Sequence, residues 1–148
     1  MQTLLLYSHS WLRWVYLILA LVVVVRSVRG WRMTMPFTAA DNKFSLFYMI
    51  TADIMFLMGM VQYWVYFYPQ VMKGKAMGEI MKEASIRVIG IEHITLMTLA
   101  WIFVHIARSK SKKAKTDNLK HKHLFVWSAA ALLFVLAGIP WARDLFKF

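Results

Sequence analysis

Five histidines provide most of the coordination chemistry available to this chain of 148 residues. His9, His93, His105 and His121 fall near the ends of long apolar segments, and His123 lies two residues after His121. Neutral imidazole is a common axial ligand of haem iron, and two imidazoles on one iron favour electron transfer over oxygen chemistry. The chain has no cysteine, which removes iron–sulfur clusters, thiolate ligation and disulfides. The histidines therefore predict one or two haem b groups held between helices.

Long apolar segments separate these histidines and must position them. Hydrophobic residues make up 60% of the chain and the mean hydropathy is +0.53, which is typical of an integral membrane protein. A membrane helix needs about 20 mostly apolar residues, and backbone groups in lipid must be paired within the protein. We therefore predict a single all-α domain, an up-and-down four-helix membrane bundle. Its helices are expected at about residues 5–27, 44–67, 86–108 and 119–141.

Local sequence signals indicate where these helices begin and end. The runs 38–41 and 116–118 contain cap-forming residues just before the second and fourth helices. Pro69 is expected to end the second helix and Pro140 the fourth, because proline cannot continue the hydrogen bonding of a helix. Residues 76–87 predict one short amphipathic helix on the surface.

Basic residues concentrate in the connections and give the chain a formal net charge of +11. The connections at residues 26–43 and 108–122 carry eleven of them, whereas residues 69–87 and the tail with Arg143 and Lys147 carry six. Because short loops rich in Lys and Arg stay in the cytoplasm, we expect both termini on the non-cytoplasmic side of the membrane. The same charge suits anionic lipid, and nucleic acid is not an expected partner.

The histidines form two predicted levels in such a bundle. His9 and His93 would meet near the outer face, and His105 would meet His121 or His123 near the inner face. His93 and His105 are 12 residues apart on one helix, a rise of about 18 Å, which suits two haems stacked in a bilayer core about 30 Å thick. Each histidine has a simpler interpretation as an amphipathic residue at a wet boundary.

Only one of the two neighbouring histidines can point into the bundle. His121 and His123 are separated by about 200° around a helix, and a stripe of inward positions continues from His121 through Phe125, Ser128 and Leu132. His121 is therefore the preferred inner ligand, and His123 stays open as the alternative.

Two charged residues inside the predicted helices are further candidates. Arg13 lies four residues after His9 and on the same helix face, where it would contact a haem propionate or reach lipid phosphate. Asp53 lies near the middle of the second helix, and an intramembrane carboxylate is a functional hypothesis by default. It is expected either to be protonated and bonded to Thr95, Thr98 or Ser128, or to serve a proton relay or quinone site.

Several short segments occur in an informative order. They are His9-Ser10-Trp11-Leu12-Arg13-Trp14, Ala40-Asp41-Asn42-Lys43, Glu92-His93, His105 followed by Ser109-Lys110-Ser111-Lys112-Lys113, Lys120-His121-Lys122, and Gly138-Ile139-Pro140-Trp141. Over nearly the whole chain they resemble a family of small bacterial four-helix membrane proteins labelled cytochrome-b-like. The resemblance implies a haem role and favours His9, His93, His105 and His121 as ligands. The chain departs from the family at Ala52-Asp53 in the second helix.

The sequence as a whole predicts a membrane b-type cytochrome that carries electrons within or across the inner membrane, from a quinol or a partner protein. Since no nucleophile, base and orienting group share one face, an electron-transfer protein is favoured over a catalyst, and a quinol-linked oxidoreductase stays open. The main alternative is a haem-free accessory or structural subunit of a larger membrane complex, such as a respiratory complex, and a homo-oligomer is also open. A transporter built around Asp53 is the least favoured, because four helices without a repeat leave little room for alternating access.

Overall fold

The structure, a computed structural model, describes residues 1–141 as a set of helices. Four spans are long and apolar enough to cross a membrane, which makes the chain a multi-pass membrane protein. They are span 1 (Gln2–Arg32), span 2 (Ala39–Met72), span 3 (Ala84–Lys113) and span 4 (Asp117–Gly138). A short helix, Met77–Lys82, lies between spans 2 and 3. Arg143 and Lys147, which enter the charge argument, lie outside the described residues.

The four spans form a closed ring of neighbours. Each span packs against the next one along the chain, and span 4 packs against span 1. Spans 1 and 3 therefore lie diagonally across the bundle, and the prediction of an all-α four-helix bundle is confirmed. We call the end that carries the N-terminus, residues 73–83 and the end of span 4 the termini end. The other end, with the connections 33–38 and 114–116, is called the basic end.

Small residues bring the spans together, and large apolar residues face outward. Ala20, Ala107 and Ala131 have no exposed surface, and such residues let helix backbones approach closely in lipid. In contrast, Ile18, Leu57 and Leu133 are 63%, 64% and 69% exposed. Lipid covers an apolar outer surface of this kind, so the pattern is what a bundle in a bilayer requires.

One polar contact lies inside this apolar core. The hydroxyl groups of Tyr16 on span 1 and Tyr48 on span 2 are 3.2 Å apart and form a hydrogen bond. Both side chains are buried, and their ring centroids are 5.3 Å apart. Each hydroxyl therefore satisfies the other where water is absent, as buried polar groups require.

Side-chain caps and an arginine hydrogen bond organise the basic end. The hydroxyl of Thr38 accepts a hydrogen bond from the backbone N–H of Asp41, and the Asp41 carboxylate accepts one from the backbone N–H of Thr38. Thr116 likewise accepts a bond from the backbone N–H of Leu119 at the start of span 4. Both predicted capping runs are confirmed. Arg108 then joins spans 3 and 2 by donating to Ser45 Oγ at 2.6 Å.

Helix bounds differ from the prediction in ways that have local causes. The first three spans extend beyond their predicted apolar windows at both ends, because caps and polar flanks continue the helices past the apolar residues. The prediction that Pro69 ends the second helix is wrong. Span 2 changes from α-helix (Ala39–Val61) to π-helix (Gln62–Met72), and Pro69 lies within that second segment. Wider π-helical bonding replaces the i→i−4 pattern that proline breaks.

Residues 76–87 also differ in detail from the predicted single helix. They form two short helices, Met77–Lys82 and Ala84–Arg87, because Glu83 between them has an extended backbone. Buried Ile80 and Ile86 attach this segment to Met72 at the termini end. Span 3 then continues as a π-helix (Val88–His93) and an α-helix (Ile94–Lys113).

Candidate functional site

The termini end brings His9 and His93 together. His9 lies on span 1 and His93 on span 3, so the two imidazoles come from spans that are diagonal in the bundle. They are close enough to interact electrostatically. The two histidines of the predicted outer pair therefore lie at the same end of the bundle, and their role as a ligand pair stays a prediction.

The imidazole of His93 is oriented by the backbone of span 4. Its Nδ1 atom lies 2.7 Å from the carbonyl oxygen of Gly138. A carbonyl oxygen only accepts hydrogen bonds, so Nδ1 carries a proton and donates it to that oxygen. Histidines that bind metals commonly use one ring nitrogen for the metal and donate from the other to a carbonyl or carboxylate.

A glycine is needed to bring that carbonyl within reach. A Cβ atom at Gly138 would lie 2.8 Å from Met97 Cε and 3.0 Å from Leu96 Cβ. Any larger residue would therefore push the end of span 4 away from span 3 or displace Met97. The sequence marks Gly138 only as the residue before the end of the fourth helix, so its role in positioning His93 was not predicted.

His9 has a buried nitrogen with no hydrogen-bond partner. Its Nδ1 atom is shielded from solvent, and no residue between 1 and 141 bonds to it. An unpaired polar atom of this kind costs about 1–3 kcal/mol, which a ligand bound at Nδ1 would offset. The buried Nδ1 of His121 and Oγ of Ser128 also lack a hydrogen-bond partner among the described residues. Gly59 on span 2 faces the ring, and a Cβ there would lie 3.6 Å from His9 Cε1.

Span 2 also fixes the backbone next to His9. Gln62 Nε2 donates to the carbonyl oxygen of Leu5 at 2.9 Å, one helical turn before His9. Gln62 is the first residue of the π-helical segment in span 2, and His93 is the last residue of the one in span 3. Tyr63 Oη joins the two segments by donating to the Gly90 carbonyl at 3.0 Å. The two π-helical segments, of 11 and 6 residues, therefore meet at the end of the bundle that holds the histidine pair.

Arg13 adds positive charge to this end of the bundle. It interacts electrostatically with His9, and its guanidinium carbon lies 5.5 Å from the centroid of the Trp14 ring. A half-buried guanidinium one helical turn from His9 is placed to contact an anionic group near the two imidazoles. Its predicted role toward a haem propionate stays a prediction.

The third candidate, His105, has a different kind of partner. Its Nε2 atom lies 2.7 Å from Asp53 Oδ1, and Trp101 Nε1 donates to the same oxygen at 2.8 Å. The prediction that Asp53 bonds to Thr95, Thr98 or Ser128 is wrong. Thr98 instead donates to the carbonyl of Ile94 on its own helix. The rotation of each span about its axis decides these contacts, and hydropathy does not define that rotation.

His121 is buried between spans 4 and 1, as its stripe predicted. It is 2% exposed, whereas His123 is half-buried. Its ring centroid lies 5.0 Å from that of Phe37, and its Nε2 atom is 3.4 Å from the Pro36 carbonyl. His121 therefore contacts the 33–38 connection, while His105 contacts span 2. The structure gives the predicted inner pair separate partners.

The chemistry available at the termini end is that of two nitrogen donors beside a cation. One imidazole is oriented by a bond from its Nδ1 to a carbonyl oxygen, the second has an unpaired ring nitrogen, and a guanidinium interacts with the second. Within residues 1–141, no three His, Asp or Glu side chains gather to hold one metal ion. Comparisons with protein-family models, curated proteins and solved structures give no match for this chain.

Proposed function

We propose that the protein is a b-type cytochrome that binds one haem b at the termini end through His9 and His93. It would carry single electrons within or across the membrane and would be related to the small cytochrome-b-like membrane proteins that its sequence segments resemble. The observation that carries this proposal is the His93 Nδ1 bond to Gly138 beside the unpaired Nδ1 of His9.

The residues at this site fit a haem in three respects. Two imidazoles on different spans are the donor set of a bis-histidine haem. The Gly138 carbonyl orients the His93 ring through Nδ1, and Nε2 would be the nitrogen that holds iron. Arg13 supplies a charge that a propionate requires. These contacts are the basis of the proposal, and none of them depends on the resemblance.

A bound haem supplies one-electron chemistry between ferric and ferrous iron. The contributions of this chain are orientation and environment. The carbonyl of Gly138 restrains the His93 ring, Arg13 raises the local positive charge, and the apolar spans keep water away. Positive charge and low polarity near a redox group adjust its potential, so these residues would define the potential of the site.

A second haem between His105 and His121 remains only a prediction from sequence. Because His105 is bonded to Asp53 and His121 is packed against Phe37, both rings would have to leave present partners to share an iron. We therefore propose one haem per chain.

The proposed setting is the inner membrane of a bacterium, with both termini outside the cytoplasm because the basic end is the more positively charged. The electron donor would be a quinol or a partner protein, and the chain would assemble in a larger respiratory complex or a homo-oligomer. The alternative is a haem-free accessory subunit. One observation favours it, namely that Asp53 and His105 remain partly uncovered on the outer surface.

Absorption spectroscopy of protein purified after haem-replete expression tests the proposal. We expect a Soret band, separate α and β bands on reduction, and about one haem per chain in a pyridine hemochrome assay. His9→Ala and His93→Ala should each abolish the reduced spectrum, because each removes an axial ligand. His105→Ala and His123→Ala are matched controls that should keep it.

Two outcomes would overturn this function. A colourless wild-type protein would favour the accessory subunit. A haem that is retained in His93→Ala but lost in His105→Ala would move the site to the basic end. Circular dichroism of each variant separates ligand loss from misfolding.

A further inference from the structure

The Asp53 and His105 pair is held rigidly between spans 2 and 3. Asp53 Oδ1 accepts from both Trp101 Nε1 and His105 Nε2. Phe56 stacks on the Trp101 ring, with centroids 4.6 Å apart and planes 10° apart, and the Trp101 ring also contacts the His105 ring edge-on at 4.8 Å. Rings from two spans therefore fix both the carboxylate and the imidazole in one orientation.

This pair is nevertheless partly open on the outer surface of the bundle. The side chains of His105 and Asp53 are 38% and 36% exposed. Asp53 lies eight residues after Ser45, the residue that bonds Arg108 at the basic end, which is about 12 Å deeper along the span. Ionisable groups at such a depth are costly in contact with lipid and mark functional positions. His105 is only three residues, or about 4.5 Å of rise, from Arg108, so water, lipid headgroups or a ligand covers the pair.

His105 opens into a groove of about 620 Å³ that runs along span 3. The groove is shallow and open to its surroundings, and all the residues that line it belong to span 3. Trp101 and His105 provide the polar groups of the groove, and Ile102 and Ile106 provide its apolar walls. Lys110 and Lys113 lie where the groove approaches the basic end.

The hydrogen-bonding capacity of His105 defines the class of occupant. Since Nε2 is engaged with Asp53, the ligand meets Nδ1. A neutral imidazole accepts there from a hydroxyl group, and a protonated one donates to a carbonyl. The two redox forms of a quinone present these two groups on one apolar ring, and they diffuse within the bilayer. A phospholipid phosphate would instead go to the lysines, and would leave His105 uncovered.

We propose that this groove binds the ring of a membrane quinone or its quinol, with a ring oxygen hydrogen-bonded to His105 and with Asp53 as a positioning residue. This assignment of a quinone to the groove rests on the proposed function, because a quinone is the expected redox partner of the proposed cytochrome. Binding itself involves no electron transfer, so it is testable without haem.

The test uses protein in nanodiscs of neutral phosphatidylcholine, titrated with a decyl-substituted benzoquinone and with its quinol. We expect saturable binding and a change in the ¹⁵N resonance of the His105 imidazole on addition of either form. His105→Ala should weaken binding about threefold to tenfold, because the hydrogen bond to the ring oxygen is lost. Lys110→Gln and His123→Ala are controls and should change the affinity less than about twofold.

Asp53→Asn examines the positioning role. The asparagine oxygen still accepts from Trp101, so the fold should persist, as the melting temperature will show. The ¹⁵N spectrum should then report a mixture of His105 tautomers, together with weaker binding. A purely structural role would lower the melting temperature and leave the tautomer unchanged.

His93→Ala separates this inference from the proposed function. Loss of haem with unchanged quinone affinity would support both. Quinone binding to a wild-type protein that contains no haem would support the groove alone. A haem protein whose His105 resonance ignores quinone would overturn the groove assignment. The assignment would also be overturned if cross-linking at Ile102→Cys and Ile106→Cys showed a second copy of the chain covering the groove.

Discussion

The close approach of Gly30 to His121 makes a direct test of how spans 1 and 4 pack. A Cβ atom on Gly30 would lie 2.5 Å from both Nδ1 and Nε2 of His121, far inside van der Waals contact. His121 is 2% exposed and is confined by Phe37, so the ring has no adjacent space to enter. We expect Gly30→Ala to separate the two spans or to force the ring into a poor rotamer.

The magnitude follows from two opposing effects. Overpacking of a well-packed interior costs about 1–3 kcal/mol, and a clash with a whole imidazole belongs at the upper end. Alanine gains about 0.5–1 kcal/mol over glycine within a helix. The free energy of unfolding should therefore fall by about 2 kcal/mol. Gly59→Ala is the matched control, because its Cβ would meet His9 Cε1 at an ordinary 3.6 Å, and it should gain about 0.5–1 kcal/mol.

Unfolding in mixed micelles, followed by circular dichroism, measures both variants. The expected difference between them is about 3 kcal/mol, which combines the two values above. In the double variant Gly30→Ala/His121→Ala the clash is removed, so on the His121→Ala background the alanine should stabilise the protein by about 0.5–1 kcal/mol. If Gly30→Ala proved as stable as Gly59→Ala, the burial of His121 against span 1 would be incorrect.

Two further predictions concern the site and the basic end. Gly138→Ala should move the Gly138 carbonyl away from His93, because the new Cβ would lie 3.0 Å from Leu96 Cβ. The haem content or the reduced α band should then change. The control Gly78→Ala has open space around its Cβ and should keep the wild-type spectrum. Thr38→Ala removes the capping box of span 2 and should lower the free energy of unfolding by about 1 kcal/mol. The control Thr3→Ala changes an exposed residue and should have little effect. Equal stability of the two variants would contradict the capping contribution.

The number of spans and their caps were predictable from sequence because they depend on local properties. Apolar length alone identifies a membrane span, and the polar runs at Thr38 and Thr116 act on the residues that follow them. The burial of His121 rather than His123 was also predictable, since residues two apart on a helix face different ways. In each case, the relevant interaction lies within a few residues along the chain.

The contacts between spans were less predictable because these helices are apolar on most sides. The lipid-facing and core-facing sides differ mainly in residue size, as Leu57 and Ala52 illustrate, and hydropathy does not detect that difference. Asp53 was therefore assigned the wrong partners. The π-helical segments add a second difficulty. A π-helix has more residues per turn than the 3.6 of an α-helix. Because residues 88–93 are π-helical, counting 3.6 residues per turn along span 3 does not predict which side of the helix His93 occupies.

The hydroxyl pair of Tyr16 and Tyr48 has an evolutionary consequence. Loss of one hydroxyl would leave the other buried without a partner, at a cost of about 1–3 kcal/mol, whereas replacing both by phenylalanine would be nearly neutral. Substitution at either position is then penalised until the other one follows. Descendants of this chain should keep both tyrosines or neither, because the intermediate sequence is the unstable one.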